Sequence, residues 1–403
     1  MRYNELHVVL LSHEYPPFIY GGVGIFVENL AHGLLRRGVE VTVIAGYPVP
    51  SGGFKKFKAD EEQTDSGINV VRFPYPNISP RQLWFQIFNL PKFSGVIRRI
   101  NADVIHGQSG GAFPAMLTLQ RFAPTLVTFH MGLKTMRNLT IHSLTRGGNF
   151  SDFFTYVVGY PVSLYSFREE FVRSDSAIAV SQTLMNEMKQ DFGKKEKGEL
   201  HYIHNGVDVE GLQAKQSSIS GINDREKPTI VFGGRLYWTK GIVELLELAY
   251  LLRKNRNFDW KIKIYGTGPL STMIKKRTLN LGLDNVVMFG HVGQLEFFEA
   301  VRKSTFVVIP SFNEACPLTL LECMCLGKIP CMFNLPYARE FTENGKYGIL
   351  ANNVDDMATQ IESTYRDADL ESMGKEIKRF ATKKYDILKV ASEYLKIYEE
   401  LAN

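Results

Sequence analysis

Short apolar runs of strand length alternate with stretches of helical periodicity along the whole chain. The runs cover residues 6–11, 39–45, 103–106, 125–129 and 176–180 in the first half, and 229–233, 261–265, 286–289, 306–309 and 329–333 in the second. This alternation is typical of parallel βαβ units, and strands that are apolar on both faces must be covered by helices on both sides. The pattern predicts an α/β protein with two doubly wound parallel sheets.

The size of the chain supports two domains. At 403 residues it is too long for one ordinary hydrophobic core, and a hydrophobic content of 44% is enough for two. Residues 215–224 are polar with few apolar anchors, so the boundary is expected between Asn205 and Pro228. From Tyr385 onward the spacing predicts an amphipathic helix. Its apolar face consists of Leu388, Ala391, Tyr394, Leu395 and Tyr398.

Charge and composition constrain partners and location only loosely. The net charge of +5 comes from 47 basic and 42 acidic residues, and it fits an anionic ligand, an anionic membrane surface or a mildly basic solvated surface. The sequence has no long basic tail, so a nucleic-acid partner is not expected. Without a signal-peptide pattern or an apolar run of ~20 residues, a cytoplasmic location is expected. The cysteines match no zinc spacing and are expected to be buried core residues. They are Cys316, Cys323, Cys325 and Cys331.

A glycine-rich segment follows the first strand. After His13-Glu14-Tyr15-Pro16-Pro17 comes Gly21-Gly22-Val23-Gly24, and a helix is expected to begin near Ile25. Open α/β sheets bind ligands at the carboxyl ends of their strands, where glycines let the backbone approach a phosphate and a helix N-terminus offers N–H groups. A structural glycine turn would look the same, so both interpretations stay open.

The dinucleotide fingerprint is incomplete in both halves. The place of its third glycine holds Val27 after the first glycine segment and Ser271 after Gly266-Thr267-Gly268-Pro269. An NAD-linked dehydrogenase is therefore disfavoured.

Basic residues follow the first strand of the second half. Gly233-Gly234-Arg235 ends this strand, and Lys240-Gly241 is expected at the start of the next helix. Arg235 as a two-pronged donor and Lys240 as a point charge can converge on a diphosphate. The alternative is an ordinary surface pair.

Two glutamates frame the beginning of a later apolar helix. Glu314 ends the loop after a strand, and Pro317 suits the first helical position, which leaves the N–H groups of Leu318 and Thr319 for an anion. Glu314 is expected at the mouth of a cleft. Glu322 is a carboxylate in an apolar helix that needs a partner, and ligand hydroxyls would supply one.

Taken together and in this order, these motifs resemble the family 4 retaining glycosyltransferases. The resemblance covers nearly the whole chain and implies the GT-B fold, in which two Rossmann-like domains face each other and the C-terminal helix crosses back to the N-terminal domain. The motifs are Gly21-Gly22-Val23-Gly24, Asn205-Gly206-Val207-Asp208, Gly234-Arg235 with Lys240-Gly241, Gly266-Thr267-Gly268-Pro269, and the pair Glu314 and Glu322. The implied domains are 1–207 with 386–403 on the acceptor side, a linker at 208–227, and a donor-binding domain at 228–385.

The resemblance assigns roles to the second-half residues. Arg235 and Lys240 look like the pair that binds the donor diphosphate and assists catalysis, with Gly234 beside them. Glu314 looks like the acidic residue that contacts the donor sugar, and Glu322 like the one that holds the ribose.

The remaining roles lie partly in the first half. Gly22 resembles the glycine whose backbone approaches the donor phosphates, and His130 resembles the histidine that faces the reacting sugar. The nucleobase would be held by backbone and apolar groups near Gly266 and Gly290. A histidine at a strand end is also often structural.

The sequence departs from the family pattern in three places. Tyr20 replaces the lysine that precedes the paired glycines in glycogen and starch synthases, which argues against an ADP-glucose polymerase. Ala315-Cys316-Pro317 replaces the common Gly-Phe-Gly. Tyr337-Ala338-Arg339-Glu340 occupies the place of a Gly-Gly turn, and its contacts are open.

The resemblance implies transfer of a sugar from a nucleotide-diphosphate sugar, with UDP or GDP expected, to a glycan, a lipid-linked glycan or a small molecule. Retention of configuration is expected, and Arg235, Lys240 and helix-end N–H groups would stabilise the leaving diphosphate without a metal or other cofactor. An epimerase of the same fold and a catalytically silent nucleotide-sugar binding subunit are the alternatives.

An aromatic stretch at 153–167 bears on the acceptor. Basic residues flank it, at Lys134, Arg137, Arg146 and Arg168. It could seat a lipid-linked acceptor at the inner face of a membrane, or it could be a core helix, which we favour. The sequence leaves the oligomeric state open.

Overall fold

The computed structural model describes residues 6–49, 60–63, 67–78, 81–109, 115–135, 137–138, 141, 160–217, 228–255 and 258–403. The chain forms two compact units. The first comprises Met1–Gly206 with Ile387–Asn403, and the second comprises Val207–Asp386. Each unit is built around one sheet with helices packed against it.

The sheet of the first unit has the strand order β3-β4-β2-β1-β5-β6-β7-β8. All neighbours are parallel except β3, which is antiparallel to β4. The strands are β1 His7–Ser12, β2 Glu40–Val49, β3 Asp60–Gln63, β4 Asn69–Pro76, β5 Val104–Gln108, β6 Thr125–Phe129, β7 Ser176–Ala179 and β8 Leu200–Tyr202. β1, β5 and β6 lie together in the middle of this sheet and are buried along their whole length. Their carboxyl ends therefore lie side by side.

The described helices of the first unit include the C-terminal one. They are α1 Gly22–Leu35, α2 Arg81–Ile100, α3 Ala115–Leu119, α4 Tyr160–Arg173, α5 Gln182–Phe192 and α14 Ile387–Ala402. α14 packs closely on α1, because a Cβ atom on Gly33 would lie only 2.9 Å from Ile387 Cγ1. The guanidinium of Arg37 also donates to the carbonyl of Leu388, at 2.9 and 3.2 Å. The C-terminal segment thus belongs to the first unit.

A buried polar network joins α14 to the sheet. The ring nitrogens of His106 lie 2.8 Å from the Tyr398 hydroxyl and 2.7 Å from Thr128 Oγ1. Burial lowers the pKa of His106 to about 3, and the nearby His130 acts in the same direction. The imidazole is therefore neutral at physiological pH and can both donate and accept one hydrogen bond.

The second unit has a fully parallel sheet in the order β11-β10-β9-β12-β13-β14. The strands are β9 Thr229–Gly233, β10 Lys261–Tyr265, β11 Val286–Gly290, β12 Phe306–Ile309, β13 Ile329–Phe333 and β14 Ile349–Ala351. The helices are α6 Val209–Ser217, α7 Ile242–Asn255, α8 Ser271–Asn280, α9 Gln294–Arg302, α10 Leu318–Cys325, α11 Pro336–Thr342, α12 Val354–Asp367 and α13 Leu370–Tyr385, with a 3-10 turn at Trp238–Lys240. β9 and β12 are neighbours, so the loops that follow them begin at the same edge of the sheet.

The ten apolar runs are all strands, which confirms the prediction of two parallel-sheet domains. The structure adds β3, β4, β8 and β14, which the pattern did not indicate. β4 contains Arg72, Pro74 and Pro76, and β8 and β14 have only three residues each.

Three further predictions can be compared with the structure, and they concern the linker, the C-terminal helix and the cysteines. The expected linker at 208–227 begins with the helix α6, and residues 218–227 lie outside the described part of the chain. In α14, Ile387 and Val390 are buried, whereas Leu388 is only half-buried. All four cysteines are free and buried, as expected of core residues.

Candidate functional site

The first unit presents a helix N-terminus at the carboxyl end of β1. α1 begins at Gly22, three residues before the expected start, and Gly21 is its N-cap in an extended conformation. Both glycines are exposed. Because the first N–H groups of a helix have no partner within it, this turn offers donors to an anion.

Glu14 holds this glycine turn in place. Its Oε2 atom accepts the N–H groups of Tyr20 and Gly21, both at 3.0 Å, and its Oε1 atom lies 3.3 Å from His13 Nε2. Burial would raise the pKa of Glu14, but the hydrogen bonds from His13, Tyr20 and Gly21 outweigh it and the pKa is lowered. A Cβ atom on Gly24 would lie 3.1 Å from Glu14 Cβ, so the close approach favours glycine there. Sequence reasoning gave Glu14 no role.

His130 lies directly after β6, beside the end of β5. Its Nε2 atom is 2.7 Å from Gln108 Oε1, and its ring packs against the Phe26 ring at a centroid distance of 4.8 Å and an interplanar angle of 66°. Burial lowers the pKa of His130 to about 4, although the nearby Glu14 carboxylate opposes the change. The ring is therefore neutral at physiological pH. The predicted site residues His130 and Gly22 both lie in the first unit, as does Glu14.

In the second unit, Lys240 and Glu314 form an ion pair. Lys240 lies on the 3-10 turn at Trp238–Lys240, before Gly241 and α7, and not on the helix itself as expected. Its Nζ atom is 2.5 Å from Glu314 Oε1, and the side chains are 34% and 13% exposed. The structure thus brings together two residues that were predicted separately.

Arg235 lies on the same loop as Lys240 but makes a different contact. It is exposed, and its guanidinium carbon lies 5.6 Å from the centre of the Tyr237 ring. Gly234, before it, has a φ of +157°, and its N–H donates to the carbonyl of Tyr265. Among the described residues, the Arg235 head group has this ring contact and no hydrogen bond or ion pair.

The beginning of α10 differs from the prediction in one detail. Pro317 is the N-cap and not the first helical residue, because its ψ of 108° is extended. Its carbonyl accepts the N–H groups of Leu320 and Leu321. Leu318 and Thr319 are then the first helical residues, whose N–H groups have no partner within the helix. The N–H groups of Leu318 and Thr319 are therefore the donors at this helix N-terminus, as the sequence predicted.

Glu322 is buried in the following turn of α10, at 7% exposure. Glu322 already makes an interaction within the protein, and its carboxylate helps to raise the pKa of the Cys323 and Cys325 thiols, after burial itself. The burial of Glu322 is therefore no evidence by itself that a ligand is its partner.

α11 braces the loop that carries Glu314. The hydroxyl of the buried Tyr337 donates to the carbonyl of Ser311 at 2.7 Å. Burial and the nearby Glu314 raise the pKa of Tyr337, so the hydroxyl stays protonated. This contact gives the Tyr337-Ala338-Arg339-Glu340 stretch, whose role the sequence left open, a structural function.

The backbone conformation and packing within the second unit require a glycine at position 266. Its φ is +126°, and a Cβ atom there would lie 1.9 Å from the carbonyl oxygen of Gly234. A Cβ atom on Gly268 would lie 2.4 Å from the carbonyl oxygen of Leu236. The loops after β9 and β10 therefore pack backbone against backbone, which accounts for these glycines without a ligand.

An Asp-x-Asp sequence lies elsewhere, at Asp367-Ala368-Asp369. Asp369 is the N-cap of α13 and accepts the N–H of Ser372 at 3.0 Å. The adjacent Leu370 lines a cavity of about 410 Å³ with Ser304 and Lys328, which precede β12 and β13. This sequence thus lies at the amino edge of the sheet, away from the Lys240–Glu314 pair.

Comparison with known families decides the identity. The profile of Glycosyltransferase Family 4 matches residues 20–210, and that of Glycosyl transferases group 1 matches residues 214–383. Together the two matches extend over both units. The chain belongs to the family 4 glycosyltransferases. The expected enzyme class is confirmed.

Similar proteins match this glycosyltransferase along almost its whole length. An uncharacterised glycosyltransferase of Methanocaldococcus jannaschii is 25% identical over 98% of both chains. Sucrose-phosphate synthase from Thermosynechococcus elongatus has a TM-score of 0.78 at 16% identity, covering 98% and 99% of the two chains. Anabaena HepE, solved in complex with UDP and glucose, has a TM-score of 0.71 at 17% identity, covering 98% and 100%. The structural likeness confirms the GT-B fold.

The aromatic stretch of this glycosyltransferase is only partly described. Residues 142–159, which include Arg146 and nearly half of the stretch, lie outside the described part, and α4 begins at Tyr160. Among the described residues, no helix is both long and apolar enough to cross a bilayer.

Proposed function

We propose that this glycosyltransferase transfers a sugar, with retention of configuration and without a metal, from a UDP- or GDP-sugar to a glycan or lipid-linked acceptor. The observation that carries the proposal is the Lys240–Glu314 ion pair at the carboxyl edge of β9 and β12. The ligands named for Anabaena HepE support a UDP-sugar donor.

The second unit would bind and activate the donor. Lys240, Arg235 and the N–H groups that begin α10, at Leu318 and Thr319, supply positive charge for the diphosphate that departs. Glu314 holds Lys240 through one carboxylate oxygen, and the other oxygen would accept hydroxyl groups of the donor sugar. These charges act most strongly in the transition state, when the diphosphate gains negative charge and the sugar gains positive charge.

Four further residues receive separate roles. In the first unit, we assign to the neutral His130 a contact with the reacting sugar and to the exposed Gly22 an approach to the donor phosphates. In the second unit, Glu322 would hold the ribose, and the loop at Gly266 would face the nucleobase with its backbone.

Charge-removing variants test the diphosphate role. We expect Arg235→Ala and Lys240→Ala each to lower turnover by about a hundredfold while the fold survives. Lys303→Ala is the matched control, because Lys303, the C-cap of α9, forms a comparable ion pair with Glu299 at 2.6 Å. Near-normal turnover in both site variants would refute the assignment. Turnover should also persist in excess EDTA, and a loss reversed by magnesium would contradict the metal-free reaction.

Glu314 and the product decide the mechanism. Glu314→Gln should keep nucleotide binding within a few-fold and slow transfer strongly, because the lost charge matters most when the sugar becomes cationic. An α-linked donor should give an α-linked product, read from the anomeric coupling constant by NMR. A glycosyl adduct on Glu314 in the intact mass would indicate a covalent nucleophile, and a β-linked product would refute retention.

An exposed apolar face on α4 bears on the proposed lipid-linked acceptor. α4 buries Phe167 and Phe171, whereas Val162, Leu164 and Tyr165 are exposed. The helix thus has both a core face and an exposed apolar face, and we propose that the exposed face meets the membrane surface. Sedimentation with vesicles of anionic lipid should carry down the protein and not a Leu164→Gln, Tyr165→Gln variant. Equal sedimentation of both proteins would refute the proposal.

A further inference from the structure

Gln108 is a buried polar residue beside His130. Gln108 is the last residue of β5 and is only 2% exposed. β5 is hydrogen-bonded to β6, which leads directly into His130. Gln108 Oε1 lies 2.7 Å from His130 Nε2. Because a carboxamide oxygen can only accept, the ring must donate from Nε2.

The neutral ring then has its other nitrogen unprotonated. Burial keeps His130 neutral at physiological pH, so only one ring nitrogen carries a hydrogen. Among the described residues, Nδ1 has no hydrogen-bond partner, whereas the backbone N–H of His130 donates to Ser109 Oγ at 3.3 Å. The ring therefore has one acceptor left for a ligand hydroxyl.

Gln108 is costly to the fold. Its Nε2 atom is buried and has no hydrogen-bond partner among the described residues. A buried donor without a partner lowers the stability of the fold, and an apolar side chain of similar size would avoid this loss. Residues that lower stability in this way are expected at functional positions.

A second buried glutamine shows what a structural role looks like. Gln86, on α2, is 1% exposed, and its Oε1 atom accepts the backbone N–H of Ala115 at 3.1 Å. Gln86 thus satisfies a backbone group, whereas the one described partner of the Gln108 side chain is the ring of His130. The comparison separates the two roles within one unit.

We propose that Gln108 is a positioning residue, which fixes the Nε2–H tautomer of His130 and so presents Nδ1 as an acceptor to a substrate hydroxyl. The second half of this inference rests on the proposed contact of His130 with the reacting sugar. The first half does not, because the tautomer is a property of the protein alone.

The tautomer can be read directly by NMR. In protein labelled with ¹⁵N-histidine, two-bond ¹H–¹⁵N spectra at pH 7.5 should show His130 protonated on Nε2, with its signals assigned by their absence in His130→Asn. Gln108→Leu should yield a mixture of tautomers or the Nδ1–H form. Gln108→Glu should restore Nε2–H and raise the pKa of His130, because a new carboxylate joins Glu14 beside the ring while His106 stays neutral.

Stability and kinetics complete the test. Gln108→Leu should melt at or above the wild-type temperature, yet its kcat should fall at least about tenfold while the KM for the donor changes little. Gln86→Leu is the matched control and should lower Tm without changing the tautomer of His130. Gln108→Glu should recover part of the lost kcat.

Three results would overturn the inference. They are a wild-type ring protonated on Nδ1, an unchanged tautomer in Gln108→Leu, and a loss of Tm in Gln108→Leu as large as that in Gln86→Leu. A changed tautomer with unchanged kcat would support the control of the ring by Gln108 and overturn the proposed role of His130 in transfer. The two failures are therefore distinguishable.

Discussion

His106 should make the stability of the first unit depend on pH. Its residue is fully buried, and burial lowers its pKa from the ordinary 6.5 to about 3. Below pH 6.5 the unfolded chain therefore binds a proton that the folded chain refuses. The stabilisation due to His106 is complete above pH 6.5 and is lost as the pH falls toward 3.

The size of this effect follows from the two pKa values. Within the window, each pH unit changes the free energy of unfolding by about 1.4 kcal/mol for one such group. Between pH 7 and 4.5, His106 alone should remove about 2.5 kcal/mol, a large part of the 5–15 kcal/mol of a typical domain. The lowered pKa of His130, about 4, adds in the same direction.

A variant isolates His106 from the other titrating groups. Urea unfolding is followed by circular dichroism at pH 7 and pH 4.5 for the wild type and for His106→Gln. The variant should be less stable at pH 7, because the Tyr398 hydroxyl and Thr128 each lose a hydrogen bond to the ring. Between the two pH values, the free energy of unfolding of the variant should nevertheless fall by about 2.5 kcal/mol less than that of the wild type. An equal loss in both proteins would refute the reasoning.

Three further predictions concern packing, capping and thiol burial. Gly266→Ala should lower Tm strongly, because its Cβ atom would lie 1.9 Å from a carbonyl oxygen at a positive φ, whereas Gly293→Ala, with open space around the new methyl group, should leave Tm nearly unchanged. Ser181→Ala should cost about 1 kcal/mol in urea unfolding, because the buried Ser181 Oγ atom caps α5 by accepting the N–H of Leu184. A maleimide should modify the four cysteines only after unfolding, since all are buried and burial raises the pKa of Cys323 and Cys331. Labelling is measured by mass spectrometry, and rapid labelling of the native protein would contradict this prediction.

The sequence predicted the central strands well because parallel strands covered on both faces are continuous apolar runs. β4 escaped the pattern because Arg72 is buried inside it, and its guanidinium donates to the Tyr15 and Pro16 carbonyls. A charged residue in a strand looks like surface until its acceptors are known. Periodicity cannot indicate acceptors that lie 56 or 57 residues away in the chain.

The candidate site divides in the same way between local and distant signals. The glycine turn and the end of β9 were visible as local motifs, but the pairing of Lys240 with Glu314 joins residues 74 positions apart. That pairing depends on β9 and β12 being neighbours in the sheet, which is a matter of strand order. Glu14 and Gln108 were missed because single polar residues at the ends of apolar strands carry no motif. Their importance lies in the groups they hold, Gly21 and His130.

The Lys240–Glu314 pair also explains how both charges of the proposed donor site can be compensated before a donor binds. A carboxylate that is 13% exposed would be costly to leave unpaired, and Lys240 supplies its counter-charge. Since Lys240 is 34% exposed, its ammonium group can contact an incoming diphosphate without first leaving Glu314. The ion pair would then become a chain of alternating charges, in which Glu314 keeps Lys240 in position as the diphosphate gains negative charge. Electrostatic stabilisation of this kind is effective because the charges are already oriented before the reaction begins.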